Sequence, residues 1–182
     1  MMILIIGGSG CGKSAYAEDY TVALSKDNPR YYIATMKVFD KEGQARVERH
    51  KRMRSGKGFQ TIEQPVSVEE ALEKIGHPMA SESTALLECM SNLVANEMFS
   101  CEAPKPVEEV TEKIIKGVER LKIGLKHLVV VTNNVFEDGI VYDEATMEYI
   151  KAMGNINEKL AAMSDKVLEI VVGIPVAVKK GK

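Results

Sequence analysis

The stretch Met2-Ile3-Leu4-Ile5-Ile6-Gly7-Gly8-Ser9-Gly10-Cys11-Gly12-Lys13-Ser14 decides the fold. Residues 2–6 are all apolar, the composition of a strand buried on both faces of a parallel sheet. Gly7, Gly8, Ser9, Gly10, Cys11, Gly12, Lys13 and Ser14 then fit G-x-x-x-x-G-K-[ST] at every fixed position. Glycines let the backbone turn left-handed and aim several N–H groups at one anion. A helix starting at Lys13 adds the partial positive charge of its N-terminus. Lys13 reaches the β- and γ-phosphates of a nucleoside triphosphate, and the Ser14 hydroxyl ligates Mg²⁺. The strand before and the helix after distinguish this phosphate loop from a glycine-rich turn.

Outward from the loop, apolar β-rich runs alternate with longer helical patterns. That alternation predicts an α/β fold with a mainly parallel sheet. The predicted order is a strand at 2–6, a helix at 13–25, a strand at 31–34 and a polar helix at 40–54. A loop at 55–58 and a brief extended stretch at 61–62 follow. Ser67 is expected to cap a helix to residue 75, with Glu69 and Glu70 in its first turn. Further on come a strand at 84–87 ending at Glu88, a helix at 90–99 and a linker at 101–106. A helix at 107–121 carries Val107, Val110, Ile114, Val118 and Leu121 on one face. A strand at 127–132 is followed by one or two helices at 143–163, with Gly154 as a candidate break. Runs at 167–172 and 174–179 flank Gly173 and predict an antiparallel hairpin at the sheet edge.

The 182 residues suit one domain, spanning 1–182, with its own core. The formal net charge of −2 makes no case for nucleic acid as a partner. No apolar run is long enough to span a membrane. Cys11, Cys89 and Cys101 are odd in number and widely spaced, which suggests neither a disulfide framework nor a zinc site. A reducing cytoplasm is the simplest setting, and Cys11 reads as a small tolerated side chain in the loop.

A phosphate loop implies a nucleotide and leaves the reaction open. The magnesium ion normally needs an acid at a strand end. Glu88 is the candidate, because the other buried strand ends in Thr132-Asn133-Asn134 without a carboxylate. The second unusual stretch is basic: Arg46, Arg49, His50, Lys51, Arg52 and Arg54. On a helix, Arg46, Arg49 and His50 share a face. Guanidinium groups would hold anionic oxygens and disfavour imidazolium, leaving His50 neutral and able to attack an α-phosphorus. From composition alone, the favoured reading is a solvated charged face with an incidental histidine.

Taken in order, these segments resemble the bifunctional adenosylcobinamide kinase/adenosylcobinamide-phosphate guanylyltransferase family of cobalamin biosynthesis. The resemblance rests on the loop, on Tyr32-Ile33-Ala34-Thr35, on Arg46 with His50, and on Phe59-x-Thr61-x-Glu63. It continues through Leu86-Leu87-Glu88-Cys89, Asn96, Val131-Thr132-Asn133, Gly139-Ile140-Val141 and Asn157, and ends at Val171-Val172-Gly173-Ile174-Pro175. It implies a RecA-like P-loop NTPase fold and a homo-oligomer, a trimer. It also implies phosphorylation of a corrinoid hydroxyl, then transfer of GMP from GTP through a guanylylated histidine at His50. GTP (or ATP) with Mg²⁺ is the implied nucleotide. The implied nucleotide contacts are residues 7–14, Ala34, Thr35, Met36, Lys51, Arg52, Met53, Arg54, Glu63 and Glu88. Lys13 and His50 are the catalytic pair, and Ser14 and Glu88 the metal ligands.

The chain departs from the family pattern at Asn134-Val135-Phe136, where Glu-Val-Gly is usual. It departs again at Lys151, Ala152 and Asn155, which replace two arginines and an acid. Two other readings follow from that altered second half: a single-activity small-molecule kinase or nucleotidyltransferase, and a nucleotide-binding module without turnover.

Overall fold

A computed structural model describes residues 1–37, 43–44, 48, 51–52, 54–101, 103–134, 140 and 142–181. Its centre is a seven-stranded sheet. The strands are β1 (Met2–Ile6), β2 (Arg30–Ala34), β3 (Phe59–Glu63), β4 (Thr84–Glu88), β5 (His127–Val131), β6 (Lys166–Val171) and β7 (Ile174–Lys179). Their spatial order is β3-β2-β4-β5-β1-β6-β7. All pairs are parallel except β6 with β7. The predicted mainly parallel sheet with a terminal antiparallel hairpin is therefore the fold observed.

Residues alternate between the two faces along each strand. Ile3, Ile5, Tyr32, Leu86, Val129, Val131, Leu168 and Ile170 form one core, packed on α1 (Lys13–Ser25). Met2, Leu4, Tyr31, Ile33, Ala85, Leu87, Leu128 and Val130 form the other. That second layer holds α2 (Ala71–Ile75), α3 (Met79–Glu82), α4 (Met90–Met98), α5 (Val107–Gly124) and α6 (Glu144–Met163). Val107, Val110, Ile114, Val118 and Leu121 are all buried there, as their spacing predicts.

α1 has no apolar stripe. Its buried residues are Lys13, Ala17, Glu18, Thr21 and Ser25. Small side chains at Ala17, Thr21 and Ser25 let it lie close on β4 and β5, and the Thr21 hydroxyl donates back to the Ala17 carbonyl at 2.7 Å.

Several local expectations shift. β3 is a full strand parallel to β2, in register from Arg30↔Phe59 to Ala34↔Glu63. Ser67 makes no side-chain cap. Its backbone N–H instead donates to Glu97 at 2.7 Å, and a 3₁₀ turn (Val68–Glu70) precedes α2. Gly154 does not break α6, which runs unbroken to Met163 from a cap in which Thr146 N–H donates to Asp143 at 3.0 Å. Of the polar helix expected at 40–54, the described residues Gly43, Gln44, Glu48, Lys51, Arg52 and Arg54 are helical.

Candidate active site

The C-terminal ends of the parallel strands lie along one sheet edge, where open α/β sheets bind ligands. The phosphate loop leaves β1 at that edge. Gly10 and Gly12 take φ of 72° and 90°, which side-chain-bearing residues rarely adopt. A Cβ on Gly7 would lie 2.7 Å from Cys11 Sγ and 2.8 Å from the Ile170 carbonyl, so the loop presses against β6. The turn joining β6 to β7 is bound to it as well, with Gly173 N–H donating to the Cys11 carbonyl at 3.0 Å. α1 begins without a side-chain cap, which leaves first-turn amides directed at the loop. Lys13 is 9% exposed and its ammonium donates to the Gly8 carbonyl at 2.9 Å.

Glu88 ends β4. It follows Leu86 at the strand period of two, so it shares the α1 face. It is 8% exposed, and its Oε2 is buried without a hydrogen-bond partner among the described residues. In register, Ala34 lies between Glu88 and Glu63 across three neighbouring strands. Thr35, completely buried, ties these ends together. Its N–H donates to the Glu88 carbonyl at 3.1 Å and its hydroxyl to the Cys89 carbonyl at 2.8 Å. Asn96 donates to the Thr35 carbonyl at 2.7 Å. Thr35 thus spends its polar groups on the framework. Burial pushes the Cys89 thiol up, so this sulfur is no ready thiolate.

Arg54, at the end of the basic stretch, packs on the same face. Arg54 is 8% exposed and its guanidinium sits 3.5 Å over the Tyr32 ring. Burial, then the negative charge of Glu88, raise the Tyr32 phenol far above its ordinary range, and it stays neutral. Tyr32 packs edge-on against Phe59, with centroids 6.2 Å apart. A pocket of about 450 Å³ opens beside this stack, lined by Lys51, Arg54, Ser55, Gly56, Gly58, Phe59 and Thr61. Lys51 and Arg52 are exposed, and so is Glu63, whose carbonyl accepts from Lys74. His50 and Met53 lie outside the described residues. Tyr32, Phe59 and Thr61 were not among the expected contacts. Their signal was the period-two spacing of Phe59, Thr61 and Glu63, which puts all three on one face.

At the end of β5, a polar network adjoins the loop. Asn133 donates to Ser91 Oγ at 2.8 Å, and Ser91 Oγ lies 3.0 Å from Cys89 Sγ. Tyr149 donates to the Ser91 carbonyl at 3.0 Å. Asn157 donates to the Asn133 carbonyl at 3.0 Å and accepts from Thr132 at 2.6 Å. Asn134 donates to Glu169 at 3.3 Å, and its Oδ1 would be 3.9 Å from a Cβ on Gly8. This Asn134 is one of the departures from the family pattern.

Among the described residues no group of three His, Cys, Asp or Glu side chains could hold a metal unaided. Ser14 and Glu88 offer hard oxygen donors, and the orphaned Glu88 oxygen fits an ion that takes its remaining ligands from phosphates and water. No helix among the described residues is long and apolar enough to cross a membrane.

Comparison with known proteins agrees with this arrangement. The chain is similar to a solved ATPase domain, with a TM-score of 0.53 at 10% identity over 92% of this chain and 68% of that one, a likeness of fold alone. It is 31% identical to the bifunctional adenosylcobalamin biosynthesis protein CobU of Escherichia coli K12, over 98% of this chain and all of that one. It is 28% identical to the protein of the same name from Salmonella typhimurium LT2, again over 98% of this chain and all of the relative. The profile of the CobU family, "Cobinamide kinase / cobinamide phosphate guanyltransferase", matches residues 3–178. With its loop, strand-end carboxylate and Arg54 on one sheet face, the chain belongs to the cobinamide kinase / cobinamide phosphate guanyltransferase family of transferases.

Proposed function

We propose that this chain is a single nucleotide-binding domain that phosphorylates a corrinoid hydroxyl and then attaches GMP to that phosphate. The observation that carries the reading is the shared sheet face. Lys13, Glu88 and Arg54 come from three elements on the α1 face of the sheet, with the Arg54 guanidinium over Tyr32 and the Glu88 charge acting on the same ring. In the kinase step, the loop amides and Lys13 hold the β- and γ-phosphates while an alcohol attacks the γ-phosphorus and ADP or GDP leaves. Ser14 and Glu88 would hold Mg²⁺, which supplies charge neutralisation at the phosphates when bound.

In the transferase step, a ring nitrogen of His50 attacks the α-phosphorus of GTP. A P–N bond forms, the bond to the bridging oxygen breaks, and pyrophosphate leaves. The corrinoid phosphate then attacks the same phosphorus, making a P–O bond and releasing the imidazole. Lys51, Arg52, Met53, Arg54 and Glu63, with the residues at 34–36, would frame the nucleotide for that step. The cationic pocket beside Phe59 supports this assignment.

The proposed assembly is a homo-oligomer, a trimer. Support comes from β7, the edge strand, whose Ile174, Val176 and Val178 share a face at 62%, 46% and 63% exposure.

The deciding experiment is incubation with α-labelled GTP and Mg²⁺, followed by acid and base treatment. Base-stable, acid-labile label that vanishes in His50→Ala is the expected result. A wild type that takes no label while turning over as a kinase would overturn the transferase half.

A further inference from the structure

Glu18 is completely buried, one helical turn beyond Ser14 on α1. Neither the phosphate loop nor the carboxylate role of Glu88 requires an acid there. Its Oε2 accepts from Lys57 Nζ at 2.9 Å, and its Oε1 is buried with no partner among the described residues. The groups facing it are Lys57, Glu88, Arg54 and Tyr32. Asp19, mostly exposed, takes the other side of the Lys57 ammonium at 2.7 Å.

Lys57 closes the turn that follows the basic segment. Its N–H donates to the Arg54 carbonyl at 3.0 Å, and its own carbonyl accepts from Arg30 at 2.9 Å. A chain of contacts therefore runs from α1 through Glu18 and Lys57 to the turn, then through Arg54 to Tyr32 on β2. It bridges the two elements that share the ligand face of the sheet. An ion pair whose carboxylate is completely buried is a poor source of stability, because desolvation of that charge offsets the attraction. Such a pair is better suited to setting a register between elements.

We propose that Glu18 is a positioning residue: through Lys57 it fixes Arg54 and the turn at 54–57 against the helix of the phosphate loop, and so sets how the cationic pocket stands to a triphosphate held by that loop. The inference rests on the transferase reading above. It separates the two reactions. Lys57 bonds Glu18, Asp19 and Arg54, whereas Lys13 bonds Gly8 within its own loop, so γ-phosphoryl transfer is expected to survive loss of the bridge. GMP transfer depends on the bridge, because Arg54 and the turn frame the nucleotide in the transferase reading, and a small misplacement of a positioning group costs a large factor in rate.

The test compares Glu18→Gln, which keeps the shape, and Lys57→Met, which keeps most of the stem. Each is assayed for kinase turnover and for the rate of covalent labelling by α-labelled GTP. Labelling should fall on the order of 10- to 100-fold in both, with kinase turnover within about threefold of wild type, below the tenfold that 1.4 kcal/mol represents. The exchanged pair Glu18→Lys with Lys57→Glu should recover part of the labelling. Unchanged labelling, or a parallel loss of both activities in both variants, would overturn the inference while leaving the transferase reading intact. A wild type that takes no label removes that reading and this inference together.

Discussion

The ammonium of Lys13 donates to the carbonyl of Gly8, five residues earlier in the same loop, at 2.9 Å. The loop's own backbone thus supplies the acceptor that a phosphate oxygen would replace. A triphosphate exchanges a neutral acceptor for an anionic one, and the bond with both partners ionised is the stronger. Lys13→Ala should therefore lower kinase turnover by a factor on the order of 10²–10³, in line with other electrostatic stabilisers. Steady-state kinetics with a corrinoid acceptor measure this, and near-wild-type turnover would refute the role given to Lys13.

Gly7 and Gly8 should differ sharply. A Cβ at Gly7 meets the Ile170 backbone at 2.8 Å, which cannot move without shifting β6, whereas at Gly8 the nearest atom is 3.9 Å away. Gly7→Ala should weaken nucleotide binding by about 5- to 150-fold, since overpacking of this kind costs about 1–3 kcal/mol. Gly8→Ala should stay much closer to wild type. Calorimetric titration with GTP ranks the two, and equal affinities would contradict the packing described.

Glu88→Gln removes the charge of the carboxylate assigned to Mg²⁺ and leaves its volume. Apparent affinity for Mg²⁺ in the kinase assay should fall, while metal-free nucleotide binding changes little. A magnesium titration at fixed GTP separates this from a general loss of folding, which would lower both.

Two carboxylates should pull acid stability in opposite directions. Burial, only partly offset by Lys57, raises the Glu18 carboxyl above its ordinary 4.5. The native state then holds more protons than the unfolded chain from 4.5 up to the raised value, so stability falls as pH rises through that window. Asp165 accepts from Met2 N–H at 2.6 Å, which lowers its carboxyl below 3.8. Its contribution is present above 3.8 and is lost as pH falls through the lowered value. Denaturant unfolding across pH should show the first limb flatten in Glu18→Gln and the second in Asp165→Asn. Lys57 behaves differently from its partner: burial pulls its ammonium down, but bonds to Asp19 and Glu18 outweigh that and raise it, because it keeps a quarter of its exposure.

Ile174→Lys with Val178→Lys alters only exposed positions of β7. Folding of the subunit should be unaffected, while sedimentation equilibrium should shift toward the monomer. An unchanged oligomer would assign the assembly to another face.

Much of this was legible in the chain because it is local. The β1–loop–α1 unit follows from consecutive residues, since a buried strand, a glycine turn and a helix start each have their own composition. Glu88 was legible because a carboxylate after a run of buried strand residues has to lie at the strand's end. Less local features were misjudged. Ser67 looked like a cap, yet Glu97, thirty residues later, takes its N–H. Gly154 left one helix or two open, and burial of Met153 and Ile156 carries α6 through it as one.

By itself the sequence determined the phosphate loop, the parallel sheet, the edge hairpin and the family to which they belong. Only the tertiary structure decided what surrounds the loop. Glu18 and Lys57 are thirty-nine residues apart, and in a helix without an apolar stripe nothing marks Glu18 as buried. Its burial follows from where α1 lands on the sheet and from the turn that packs beyond it. Arg54 over Tyr32 is likewise a meeting of β2 with the crossover to β3. Local propensity and period set the elements. Which charges come to face one another depends on how those elements pack, and that is a property of the whole fold.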